Sequence, residues 1–150
     1  MPERPGFEIP PRTTPADDNG YFEQMTKAIF QAGFSWQVVN DKWLNFQRAF
    51  DGFNMDRVAA YNLEDIDRLV SDPGIVRNGR KIEATIANAL QFQAIRREFG
   101  SFAEYLHSLN ALPYRERQRI LSKRFKNLGR TSVFVFLWCV NADVPDWEER

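Results

Sequence analysis

Cysteine and histidine are almost missing: the 150-residue chain has one of each, Cys139 and His107. A single cysteine cannot close an intramolecular disulfide, which fits a reducing compartment, and Cys139 reads as a small buried hydrophobe in an apolar run. One Cys and one His cannot assemble a zinc cluster, so no metal and no cofactor is expected. A Ser-His-Asp triad would have to use His107, which has no supporting sequence around it and reads as a surface or half-buried residue. No apolar run is long enough to span a bilayer and no signal-peptide pattern is present, so no membrane partner is expected. Net charge is also missing: 20 Lys and Arg balance 20 Asp and Glu. That weighs against a chain that coats nucleic acid non-specifically.

What is present is aromatic surface, with 13 Phe and 4 Trp, and charge that is segregated rather than absent. Arg115, Arg117, Arg119, Lys123, Arg124, Lys126 and Arg130 cluster against Glu116 alone, with the arginines expected to face outward. A local electrostatic footprint is thus compatible with zero net charge. Residues 1–15 hold Pro2, Pro5, Pro10, Pro11 and Pro15, the composition of an extended or disordered arm. Residues 16–150 read as one helical domain. Phe22, Met25, Ile29 and Phe30 mark the buried face of a helix over 21–31, with Asp17, Asp18 and Asn19 as cap candidates. Val39, Trp43, Phe46 and Phe50 mark another helix, from the Phe34-Ser35-Trp36 joint to about residue 50. The apolar run 133–140 fits a buried strand or a buried helix by periodicity. The lack of any partner strand favours the helix.

The chain is organised around residues 62–90. Leu63, Ile66, Leu69 and Val70 form one apolar helical face, with Asn62 and Asp65 placed as a capping box. Pro73 ends that helix and Gly74 tolerates positive φ. After Asn78-Gly79, a second helix opens at Arg80 and Lys81, with Ile82, Ile86, Ala89 and Leu90 as its stripe. Glycine-bearing turn backbone followed by a helix N-terminus presents several N–H groups to one spot, and Arg77, Arg80 and Lys81 add cations beside it. The bland alternative is an ordinary helix connection with a solvated basic tip. On residues alone, the chain is an all-α single domain with a possible phosphate grip.

More specific strings carry a resemblance. Phe22-Glu23, Gln31-Ala32-Gly33-Phe34-Ser35-Trp36, Phe50-Asp51-Gly52-Phe53, Val58-Ala59-Ala60, Asp65-Ile66-Asp67-Arg68-Leu69-Val70, Gly74-Ile75-Val76-Arg77 and Lys81-Ile82 resemble the bacterial 3-methyladenine DNA glycosylase I family. Phe125-Lys126-Asn127-Leu128-Gly129-Arg130-Thr131 extends the likeness, which covers about two thirds of the chain. The resemblance implies a helical bundle of the helix-hairpin-helix DNA glycosylase type. It implies a pocket for an extruded base at Trp36, with Glu23 and Ala28 on its wall, and Phe34 as a wedge between stacked bases. The hairpin residues Gly74, Ile75, Val76, Arg77, Gly79, Arg80 and Lys81 would hold the DNA backbone. Ala28 stands where the family has a base-binding glutamate. The family's zinc ligands have no counterpart in residues 1–20 or at Asn141-Ala142-Asp143-Val144, so no zinc is expected. The catalytic group stays open, with Glu23 and Asp41 as the nearest carboxylates.

The expectation is a monofunctional glycosylase that releases alkylated purines such as 3-methyladenine from double-stranded DNA. It would work as a monomer in the bacterial cytoplasm, associated with the nucleoid. A catalytically impaired lesion-binding module is the second reading, and a helical protein-protein interaction domain the third.

Overall fold

The computed structural model describes residues 9–150. Among them are nine α-helices, two short 3-10 turns and no strand, so the all-α expectation holds. The first half of the expected arm lies outside the described residues. Residues 9–14 are extended and lie along the last helix: Trp138 Nε1 donates to Pro10 O at 2.8 Å, Thr13 N to Cys139 O at 3.1 Å, and Arg12 Nε to Trp138 O at 2.9 Å.

Helix α1 (Asp18–Gln31) buries Phe22, Met25, Ile29 and Phe30 as its spacing requires. The three cap candidates divide the work. Asp17 caps α1 by accepting from Gly20 N, Asn19 accepts from Met55 N, and Asp18 accepts from Phe102 N. Two of these carboxyl and amide groups therefore fix α1 to the starts of α4 (Met55–Ala59) and α7 (Phe102–Leu109).

The helix expected to run to about residue 50 is two helices, α2 (Trp36–Asp41) and α3 (Trp43–Ala49), broken at Lys42. Val39, Trp43, Phe46 and Phe50 nonetheless all face the core, because the break preserves their common side. Trp43 stacks on Phe46 at 4.8 Å and on Phe53 at 5.2 Å, and Phe22 meets Phe53 and Phe92 edge-on. Such ring pairs are worth about 0.5–1.5 kcal/mol each beyond the area they bury.

The capping box of α5 (Leu63–Val70) forms as expected, with Asn62 and Asp65 each accepting from the other's backbone N–H. Leu63 differs from expectation: it is 78% exposed, since it lies in the first turn outside the packed face. Helix α6 (Gly79–Phe99) buries Ile82, Thr85, Asn88, Ala89, Phe92 and Ile95, while Leu90 is half exposed. The apolar stripe is therefore continued by two polar residues rather than by Leu90. Asn88 is buried because it is satisfied: its amide donates to Lys126 O, and its carbonyl accepts from Lys126 N at 2.8 Å. That pair fixes the segment leading into α9 (Arg130–Cys139), the central helix that the 133–140 run becomes.

Helix α8 (Tyr114–Arg124) carries most of the basic cluster. Arg117 is a correction to the outward expectation. It is buried, and its Nη1 donates to Asp143 O at 3.0 Å.

Candidate functional site

The Gln31-Ala32-Gly33-Phe34-Ser35-Trp36 string ends α1 and begins α2. Gly33 has φ +68°, a conformation costly for any residue with a Cβ, and it turns the chain so that Phe34 projects 47% exposed. Ser35 then caps α2 by accepting from Val38 N, which places Trp36 on the first turn of that helix, half-buried against the core. Two cavities meet at this tryptophan. One, of about 590 Å³, is bordered by Gly33, Phe34, Trp36, Thr131 and Ser132. The other, of about 350 Å³, lies beyond Ala28 and Trp36 under the arm residues Ile9, Pro10, Pro11 and Thr13. Its remaining walls are Gln24, Lys27, Gln31, Asn40, Val135 and Cys139. Trp36 is thus not sealed in the core.

A third, more open groove of about 810 Å³ runs from Gly33 and Phe34 to Pro73, Ile75, Val76, Arg77 and Lys81. The hairpin on its far side is fixed by one bond within itself and by two from the start of α3. Asp72 accepts from Gly74 N at 2.8 Å, Asn45 donates to Gly74 O at 3.1 Å, and Lys42 donates to Pro73 O at 3.2 Å. A Cβ on Gly74 would stand 3.1 Å from the Asp72 side chain and 3.3 Å from that of Asn45, so a larger residue here would push those side chains back by a few tenths of an ångström. Asn78 caps α6 by accepting from Lys81 N, leaving Gly79 and Arg80 at the open end of the helix. Arg77 and Arg80 are exposed.

Lys81 has a different setting. Its ammonium donates to Phe30 O at 3.3 Å and Ala32 O at 2.7 Å, which satisfies the carbonyl end of α1. Burial lowers its pKa from the ordinary lysine value. The side chain ties the hairpin helix to the turn that carries Phe34.

The two candidate carboxylates, Glu23 and Asp41, line none of the three cavities. Glu23 accepts from Trp43 Nε1 and Gln47 Nε2, both at 2.8 Å. Asp41 accepts from Gln37 on the exposed side of α2. Ala28 lines both cavities at Trp36, as a methyl group and nothing more. Among the described residues no group of acidic, His or Cys side chains could hold a metal ion. His107 is exposed. Cys139 is half-buried at the cavity wall, where burial pushes its thiol up to about 11.

Sequence reasoning missed Gln24, Lys27 and Asn40. Positions 24, 27, 28 and 31 repeat at helical spacing on the side of α1 adjoining its apolar face, and that periodicity was the available signal.

An all-helical body with a turn-and-helix hairpin, an exposed phenylalanine beside it and an indole-walled cavity has the architecture of a DNA glycosylase. A family model described as methyladenine glycosylase matches residues 12–132, and the chain belongs to that family. DNA-3-methyladenine glycosylase 1 of Escherichia coli (strain K12) is 36% identical over 92 residues, which cover 61% of this chain and 49% of that protein. The chain thus matches about half the length of that relative. DNA-3-methyladenine glycosylase of Haemophilus influenzae is 26% identical over 140 residues, 81% of this chain and 76% of its own length. A crystal structure of 3-methyladenine DNA glycosylase I superimposes with a TM-score of 0.75 at 30% identity, covering 85% of this chain and 81% of the other.

Proposed function

We propose that the chain is a monofunctional base-excision glycosylase that extrudes alkylated purines such as 3-methyladenine from double-stranded DNA and releases them. The observation that carries this reading is continuity. The hairpin groove and the mouth cavity share Gly33 and Phe34, and the mouth and inner cavities share Ala28, Gln31 and Trp36. A nucleotide turned out of a duplex gripped at the hairpin would pass Phe34 and meet the Trp36 indole.

The chemistry asks little of an acid or base. A purine methylated at N3 is cationic in the duplex. When its bond to C1′ breaks, the electron pair goes to the base, which departs neutral, and water adds to C1′ with loss of a proton. Extrusion, stacking on an aromatic face and admission of water are the main requirements. Gly74, Ile75, Val76, Arg77, Gly79 and Arg80 would hold the phosphates of one strand, with Lys81 bracing that segment. The relatives are bacterial proteins, and no described helix is long and apolar enough to cross a membrane. We place the chain as a monomer at the nucleoid in the cytoplasm.

The test is base release from methylated duplex DNA, compared with Trp36→Ala. Release by the chain and its loss in the variant are expected, and equal release by both overturns the reading. The second reading, a lesion-binding module without chemistry, is favoured by the lack of any carboxylate among the described residues of the cavity lining. It predicts salt-sensitive DNA binding with no free base.

A further inference from the structure

Among the described residues that line the inner end of the Trp36 cavity, Lys27 alone carries a charge. The other polar groups are the amides of Gln24, Gln31 and Asn40 and the hydroxyl of Thr13. Glu23 is close enough for its charge to be felt at Lys27, but it is not among the residues that line the cavity, and its Oε2 accepts from Trp43 and Gln47. Cys139, the other close group, is a neutral thiol at physiological pH. The Lys27 ammonium also lies 5.4 Å from the centre of the Trp43 ring. At about 350 Å³ the cavity falls in the small-molecule range of roughly 300–1,000 Å³.

A cation in a wall with no described carboxylate is a poor neighbour for a cationic base and a good one for a carbonyl oxygen. We propose that Lys27 is a specificity-determining residue that donates a hydrogen bond to the oxygen of an uncharged oxopurine, adding deaminated purines such as hypoxanthine to the lesions this chain releases. The proposal rests on reading this cavity as the base pocket. Such a base must leave differently from a methylated one. When its N9–C1′ bond breaks, both electrons stay with the base, which departs as an anion with charge spread onto its oxygen. The bond from Lys27 then becomes charge-assisted on both sides, and such bonds are the stronger kind. Water captures the sugar cation and loses a proton, and the departing anion takes a proton from solvent. The amides of Gln24, Gln31 and Asn40 can present either donors or acceptors, so they add fit without reversing the polarity that Lys27 sets.

The experiment compares two duplexes, one with a hypoxanthine·thymine pair and one methylated, using the full chain, Lys27→Met and Lys27→Arg. The expected result is opposite shifts. Lys27→Met loses hypoxanthine release by about ten- to a hundredfold, the range of one charged hydrogen bond, while its 3-methyladenine release rises. Lys27→Arg, which keeps the charge, recovers part of the hypoxanthine release. The proposal is overturned if the unmodified chain releases 3-methyladenine but no hypoxanthine, or if Lys27→Met lowers both alike. Should no protein release either base, the glycosylase reading fails by itself, and calorimetry with the free bases decides the role of Lys27. Tighter binding of hypoxanthine than of 3-methyladenine, reversed in Lys27→Met, sustains it, and any other order overturns it.

Discussion

The hairpin and the inner cavity adjoin the same mouth at Phe34 but are built on different principles. The hairpin is one contiguous stretch, in which Asp72, Gly74 and Asn78 bond within a few residues of themselves. The cavity is assembled from the arm, α1, α2 and α9, segments that run from Ile9 to Cys139 along the chain. A local device is set mainly by turn chemistry, here with two added ties from Lys42 and Asn45. A cavity made of four segments takes its chemistry from whichever side chains the packing happens to leave facing inward. The two regions can therefore diverge independently, with the grip retained while the pocket changes.

The largest expected effect separates them. Trp36→Ala removes the indole face from the cavity and leaves the hairpin bonds untouched. Stacking a base on an aromatic is worth about 1–3 kcal/mol, so base release should fall roughly five- to 150-fold. Affinity for undamaged duplex should stay within about twofold, because phosphate contacts dominate it. A parallel loss of duplex affinity would mean that Trp36 supports the grip and that the two regions are one.

Next come two cations of the hairpin that the sequence does not distinguish. Arg77 is exposed, so Arg77→Ala should leave the melting temperature unchanged and lower the slope of log affinity against log salt by about 1. Lys81 spends its donors on Phe30 and Ala32. Lys81→Ala should therefore cost about 1–2 kcal/mol of stability in denaturant unfolding and leave the salt slope unchanged. The opposite pattern would make Lys81 a phosphate contact after all.

That pair shows how far the sequence could be read. Residue type and spacing located the turn, the caps and the stripes of α1 and α3, since each depends on neighbours within a turn or two. They could not tell Lys81 from Arg77, because the partner of Lys81 lies fifty positions away at the end of another helix. Glu23 was unreadable for the same reason. A carboxylate one helical position from the cavity face looks available until Trp43 and Gln47 are seen to occupy it. Lys27 was passed over because the apolar stripe of α1 dominates its pattern, and only the packing of the arm over α1 and α9 makes the adjoining side of that helix into a wall. The break at Lys42 has no proline or glycine to announce it.

A smaller effect tests the locality of the grip. Asn45→Ala removes the bond to Gly74 O from α3, the one tie from outside the hairpin that an amide supplies. A neutral hydrogen bond is worth about 1 kcal/mol, so duplex affinity should drop less than about fivefold if Asp72 and Asn78 hold the turn by themselves. A loss as large as that from Arg77→Ala would show that the hairpin needs α3 for its shape, and the contrast with the cavity would weaken.

The smallest effect lies away from both regions, where α4 is held on α6. Arg96 and Gln93 donate to Asp56, with Arg96 Nη2 at 2.7 Å, and these bonds lower the aspartate from its ordinary 3.8 to about 2. A depressed carboxylate stabilises the fold above its unfolded pKa, and that contribution is lost as pH falls through the folded value. Both groups are largely exposed and screened, so the pair contributes under about 1 kcal/mol at neutral pH. Arg96→Ala should accordingly be slightly less stable than the parent at pH 7, with the gap closing between about pH 4 and pH 2. Added salt should narrow it as well. A gap that persists undiminished at pH 2 would assign the loss to the packed stem of Arg96 rather than to its charge. The joint between α4 and α6 would then be apolar in origin, like the aromatic core beside it.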